Sequence, residues 1–199
     1  MSENLYSQYD WVLSLLAQKI AADVMIQEGA ISTLNDNKVF IKGLRRCQLH
    51  TRLLQLILQA RKSNLSESRS ANLMDILQDT RSASVDLVKV EIGRSKPMLN
   101  VLAGPDRLEL CLRIIVLLIL LNDPGVSRIL ISLRRRSGYV SVRLKGGKAA
   151  NPQLLDRELI KLVGSTLQSD GARLAWQKDK NKTLVYIRLN LSSQLNLIE

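Results

Sequence analysis

The chain is 199 residues long and 46% hydrophobic, enough to bury a real core in one domain or two small ones. Its 29 Lys and Arg stand against 18 Asp and Glu, a formal net charge of +11. That excess selects an acidic partner (a nucleic acid, an anionic membrane or an acidic protein surface), while a single histidine and two separated cysteines exclude a zinc site.

The N-terminus carries Glu3 and Asp10 where a secretory leader would be basic, so no signal peptide is expected. From Ser7 to Ile31, apolar residues recur at Tyr9, Leu13, Leu16, Ile20, Val24 and Ile31, spaced mainly by threes and fours, which predicts one helical stripe. Leu34-Asn35-Asp36-Asn37 is a turn signal able to cap a second helix from Lys38 to Lys62. In that helix Ile41, Leu44, Cys47, Thr51, Leu54 and Leu58 approach a heptad. Two long helices around a short turn predict an antiparallel hairpin, with more apolar surface than it can cover alone. Pairing with a second copy as a four-helix bundle is expected.

The polar stretch Ser63–Ser70 predicts a domain boundary, giving a hairpin over 1–65 and a second domain over 66–199. Beyond it a short helix is predicted over Ala71–Ser82 and a strand over Val85–Ile92. A loop follows at Gly93–Pro97, then a short apolar segment over Met98–Ala103. A helix over Pro105–Leu121 starts well, with Pro at its first position and Asp106 next, and ends at Asn122-Asp123-Pro124-Gly125. Its run Ile114–Leu121 is too short to span a bilayer. Strands are predicted over Ser127–Leu133 and Tyr139–Leu144, with Gly146-Gly147 opening a loop. An amphipathic helix over Pro152–Leu167 and a hairpin of Arg173–Gln177 with Thr183–Asn190 close the chain before a polar tail. Cys47 and Cys111 lie within apolar helical patterns, as reduced core residues of a cytoplasmic protein would. The predicted class is α+β, one sheet faced by helices behind an N-terminal helical hairpin.

This order of elements resembles the core of a sensor histidine kinase: a dimerising hairpin followed by an ATP-binding domain of the GHKL type. The stretch GPDRLELCLRIIVLLILL is similar to the helix that carries the family's N-box, and ILISLRRRSGYVSVRLKGG to the two strands after it. LIKLVGSTLQSDGARLAWQKDKNKTLVYIRLNL is similar to the last helix and closing hairpin. The resemblance implies a GHKL-like α/β sandwich with a mixed sheet, and it locates a degenerate nucleotide pocket. Counted from Asp106, the asparagines that hold magnesium and phosphate fall at Ile114 and Leu118, which offer a hard cation no oxygen. The Asp-x-Gly that receives adenine falls on Leu144-Lys145-Gly146, where only the glycine remains. The Gly-x-Gly phosphate loop falls near Asn151–Leu155, without a glycine. No cofactor is expected.

The family's phosphoacceptor box falls on Gln18-Lys19-Ile20-Ala21-Ala22-Asp23, and Gln18 has no imidazole to phosphorylate. The one histidine, His50, sits on the second helix. It reads either as a hydrogen-bonded histidine at the bundle edge or as a relocated phosphoacceptor, as in histidine phosphotransferases that keep a degenerate ATP-domain. No carboxylate lies near it in sequence, and no catalytic triad is supported. The leading reading is a non-catalytic, kinase-like adaptor that dimerises and docks a response-regulator receiver domain or a kinase. Its expected contacts are Arg45, Arg46 and Arg52, with the Arg134, Arg135 and Arg136 cluster. Between Pro124 and Leu155 there is no acidic residue, and Arg134–Arg136, Lys145 and Lys148 fall there. This stretch reads as a solvated face or as phosphate contacts of a nucleic-acid binder; Tyr139, Trp176 and Tyr186 are expected to be core or half-buried.

Overall fold

In the computed structural model, which describes residues 3–32, 37–62, 67–93, 99–148, 153–179 and 181–192, the first two apolar stripes form helices α1 (Glu3–Ser32) and α2 (Asn37–Lys62). They lie antiparallel, pinned by Arg61 on Asp10 at 2.9 Å. Strand β1 (Arg69–Asn72) leads into α3 (Leu73–Ala83), whose Asn72 caps the helix by accepting from the Met74 amide at 3.1 Å. Strands β2 (Lys89–Ile92) and β3 (Asn100–Ala103) precede α4 (Pro105–Asn122). Then come β4 (Arg128–Arg136), β5 (Tyr139–Lys148), α5 (Leu154–Gln168), β6 (Arg173–Asp179) and β7 (Lys182–Asn190).

The main sheet has the order β2-β4-β5-β7-β6, with β2 parallel to β4 and every other pair antiparallel, so it is mixed as expected. A separate two-stranded ribbon pairs β1 with β3. Along β4, β5 and β7 one set of alternate side chains, including Ile129, Ile131, Val140, Val142, Leu144, Val185, Ile187 and Leu189, is fully buried against the helices. The other set forms the opposite face of the sheet. Helix α4 is apolar on all sides along Ile114–Leu120 and buried throughout that run, packed on α2, α3, α5 and β5. Its N-terminus is held from below by Asp170 in the turn after α5. The Asp170 carboxylate accepts from the Gly104 amide at 3.1 Å and from the Ser68 hydroxyl, and pairs with Arg107 at 3.0 Å.

Four details differ from the sequence expectations. The strand predicted over Val85–Ile92 starts only at Lys89, because Ser84 O accepts from the Leu87 and Val88 amides and turns the chain, leaving Val85 exposed. The helix predicted from Ala71 starts at Leu73, since Ala71 pairs with Val101. Gly146 and Gly147 do not open a loop but continue β5 through a β-bulge. In α2 the near-heptad stripe is not the buried one. Leu49, Leu53, Leu56, Ile57 and Ala60 are buried instead, with Tyr9, Val12 and Leu16 of α1, in one continuous core with α4 and α5. Ile41, Leu44 and Leu58 face outward and stay exposed, as do Trp11 and Met25 on α1. The turn at 33–36, the loop at 94–98, Asn151–Pro152, Lys180 and the tail from 193 lie outside the described residues.

Candidate functional site

The positions that the sequence resemblance assigns to a degenerate nucleotide pocket are core positions. Ile114 and Leu118 project from α4 and are 2% and 0% exposed, and Leu144 on β5 is fully buried. Three aliphatic side chains excluded from water offer neither a cation ligand nor an adenine acceptor. Lys145 is half-buried on the opposite face of β5 from Leu144. Gly146 has a local reason to be glycine: a Cβ there would stand 2.9 Å from Ile129 Cγ1 on the neighbouring strand. Gly147 adopts φ 62° and lets α4 approach, with Ile119 O and Asp123 Cβ at 3.3 and 3.2 Å from its would-be Cβ. Asp123 then accepts from the Lys148 amide at 2.9 Å, tying the end of α4 to the bulge. Between Lys148 and Leu154 only 149–153 remain for a phosphate loop, and none of them is glycine.

His50 is 7% exposed, and its Nδ1–H donates to Asp23 Oδ2 on α1 at 2.7 Å. Asp23 lies 27 residues away in sequence, and the antiparallel packing of α1 on α2 brings it to His50. A second carboxylate approaches from α5. Asp156 accepts from the Gln153 amide at 2.9 Å in a capping box. Burial pushes its carboxyl above the usual range, while the Gln153 N–H and the charges of His50 and Lys19 oppose the rise. Lys19 also reaches Gln153 Oε1 at 3.5 Å. His50, Asp23, Lys19 and Asp156 thus meet where α1, α2 and α5 join. Further along the same helices, Tyr9 is buried beside Thr166 and Cys111; desolvation raises both the Tyr9 phenol and the Cys111 thiol.

The arginines expected to meet a partner are divided. Arg45 donates to Leu87 O at 3.2 Å, and Arg52 lies 3.9 Å from Asp86, so both lean over the α3–β2 turn of their own chain. Arg52 and Arg113 border a pocket of about 260 Å³ between α2, α4 and that turn, lined also by Gln55, Gln59 and Ser84. Arg46 is exposed on α2. Arg134, Arg135 and Arg136 are exposed at the end of β4, in the sheet rather than the hairpin. Among the described residues no cluster of three or more His, Cys, Asp or Glu could hold a metal, and no helix is long and apolar enough to cross a membrane.

No protein-family model matches the chain, and no curated protein is significantly similar to it. Solved structures match its whole arrangement. The histidine kinase AdeS of Acinetobacter baumannii gives a TM-score of 0.52 at 11% identity, covering 85% of this chain and 95% of that one. The histidine kinase ThkA, solved in complex with the response regulator TrrA, gives 0.59 at 13% identity over 89% of this chain and 60% of its own. The ATP-binding domain of PrrB from Mycobacterium tuberculosis gives 0.54 at 14% identity, covering 64% of this chain and 100% of that domain. At such identities the likeness is one of fold, and the fold is that of a histidine kinase core: a helical hairpin followed by an ATP-binding-type α/β sandwich with a mixed sheet.

Proposed function

We propose that this chain is a non-catalytic signalling adaptor on a histidine-kinase scaffold, which dimerises through its hairpin and docks a response-regulator receiver domain or a kinase. The observation that supports the reading is the burial of Ile114, Leu118 and Leu144, the positions that the resemblance assigns to the nucleotide pocket. A fold whose cleft is packed this way is stable without ligand, because no polar group waits for one. The hairpin serves as the docking unit, residues 1–65. Its outward stripe of Trp11, Met25, Ile41, Leu44 and Leu58 is apolar and uncovered, with Met25 and Ile41 71% and 62% exposed, and a second copy presenting the same stripe would complete a four-helix bundle. ThkA, whose fold this chain shares, is solved with a response regulator bound. The exposed Arg46 and the net charge of +11 suit the acidic face of such a partner.

Burial speaks against the phosphotransferase reading of His50. A phosphoacceptor must reach an incoming receiver domain, whereas this ring is enclosed by three helices and engaged by Asp23. Calorimetric titration with ATP and ADP, with and without magnesium, tests the proposal first. No heat at millimolar nucleotide is the expected outcome, and magnesium-dependent micromolar binding would refute it. Titration with receiver domains and the mass of the species in solution then test docking and dimerisation.

A further inference from the structure

We propose that the helix-free face of the main sheet is a platform for single-stranded nucleic acid. Alternate residues of β4, β5 and β7 that point away from the helices place Arg134, Tyr139, Arg143, Tyr186 and Arg188 on one surface. The acidic residues of the five strands are Glu91 on β2, which is paired with Lys89 and Arg128, and Asp179 at the end of β6. Two arginines are not merely solvated charges. The Arg188 guanidinium lies 3.9 Å from the centre of the Tyr139 ring, and that of Arg143 lies 5.0 Å from the centre of the Tyr186 ring. Arg143 also donates to the Tyr186 hydroxyl at 3.0 Å.

A guanidinium laid on a tyrosine is flat, oriented and weakly hydrated, and it presents a plane as well as a charge. Two such arginine–tyrosine pairs sit across adjacent strands of a rigid sheet, spaced by the ladder. An acidic protein surface would use the charges but has no use for the planes, and an anionic bilayer would want apolar side chains to insert. Unpaired bases use both, stacking on an aromatic or guanidinium plane while phosphates meet neighbouring arginines. Arg134 and Arg136, exposed at the β4–β5 end of the same face, are placed for phosphates. A duplex hides its base faces, so the site selects single strands.

Fluorescence anisotropy of the full chain with a labelled oligothymidylate of about ten nucleotides, inside the usual footprint of about 4–16, tests this between about 50 and 200 mM salt. Tyr139→Leu with Tyr186→Leu should weaken binding on the order of tenfold or more at unchanged salt slope, because stacking is lost and charge is kept. Arg134→Gln with Arg136→Gln should instead flatten the slope of log affinity against log salt by about 1.4, at about 0.7 per phosphate contact. Circular dichroism and thermal melts of the leucine variants should match those of the unchanged chain, so that a damaged fold is not mistaken for lost stacking. Folded leucine variants that bind as well as the unchanged chain would overturn the proposal. So would heparin competing as well as the oligonucleotide, a duplex of equal length binding equally well, or binding to phosphatidylserine vesicles but not to the oligonucleotide.

Discussion

Replacing Leu118 with Asn puts an amide in the middle of α4, at a position that the sequence resemblance assigns to a nucleotide pocket, and the structure says that the protein will resist it. Leu118 has no exposed surface and stands in the run of α4 that is buried on every side. Removing its side chain from the core forfeits about 1.5–3 kcal/mol of burial. The amide that replaces it finds apolar neighbours, which adds about 1–3 kcal/mol for a buried polar group without a partner. The expected loss is therefore about 4 kcal/mol, a large share of the 5–15 kcal/mol by which native domains are stable. In urea, with a slope of about 2 kcal/mol/M, the midpoint should fall by about 2 M. Leu118→Met, which conserves volume, should cost less than about 1.5 kcal/mol and serves as the control. A midpoint shift of Leu118→Asn under about 0.5 M, equivalent to about 1 kcal/mol, would refute the reasoning, because the site would then be open to water. Magnesium-dependent ATP binding by the variant would refute it equally.

Asp23→Ala and His50→Ala should each destabilise by about 1–3 kcal/mol, and a double-mutant cycle in urea should return a coupling of at least about 0.5 kcal/mol; additive effects would deny that the 2.7 Å contact forms in solution. Asp156→Asn keeps the capping geometry and removes a carboxylate that burial disfavours. A carboxyl raised on folding contributes stability below its unfolded value near pH 4 that is lost as pH rises through the folded value, so the variant should gain on the parent as pH rises above about 4. Thermal melts showing the variant falling behind over that range would mean that His50 and Lys19 outweigh desolvation. Gly147→Ala should cost about 1–3 kcal/mol for a left-handed φ of 62° at a non-glycine residue, read by the same melts, and a neutral result would place the bulge elsewhere.

The elements with their own punctuation were legible in the sequence. Pro105 and Asp106 start α4, Asn122–Gly125 end it, and the alternation of β4 and β5 frames a turn at Gly138, so the central motif and the mixed α+β class follow from local chemistry. Where two local signals competed, tertiary contacts decided. The Val85–Ile92 stretch alternates like a strand, yet hydrogen bonds to Ser84 O turn its first half. Helix α2 carries two apolar stripes, and periodicity alone cannot say which one the rest of the chain will cover. The polar clusters were less legible, because each is assembled across the fold. Asp170 meets Gly104, Ser68 and Arg107 from distant segments, and Asp156 meets the hairpin through packing of α1 on α5. Lys145 and Gly146 read together as pocket remnants, but a strand sends adjacent residues to opposite faces, and Gly146 answers to Ile129.

The packing of the hairpin bears on how such a scaffold can signal. Any swing of the hairpin against the sandwich would have to part the core they share. Here Tyr9, Leu16, Leu49, Leu53 and Ile57 are each no more than 1% exposed and belong to the same core as α4 and α5. Full burial of a side chain of this size is worth about 1.5–3 kcal/mol. If half of that area is covered by the sandwich rather than by the other hairpin helix, parting the two costs about 4–8 kcal/mol, and the parted form is rarer than about one molecule in 10³ at the lower bound. The Asp23–His50 pair and the Asp156 cap lie in the same seam and would lose their setting as well. A seam closed this firmly holds the outer stripe of the hairpin and the outer face of the sheet in a fixed relative placement, with no swing between them.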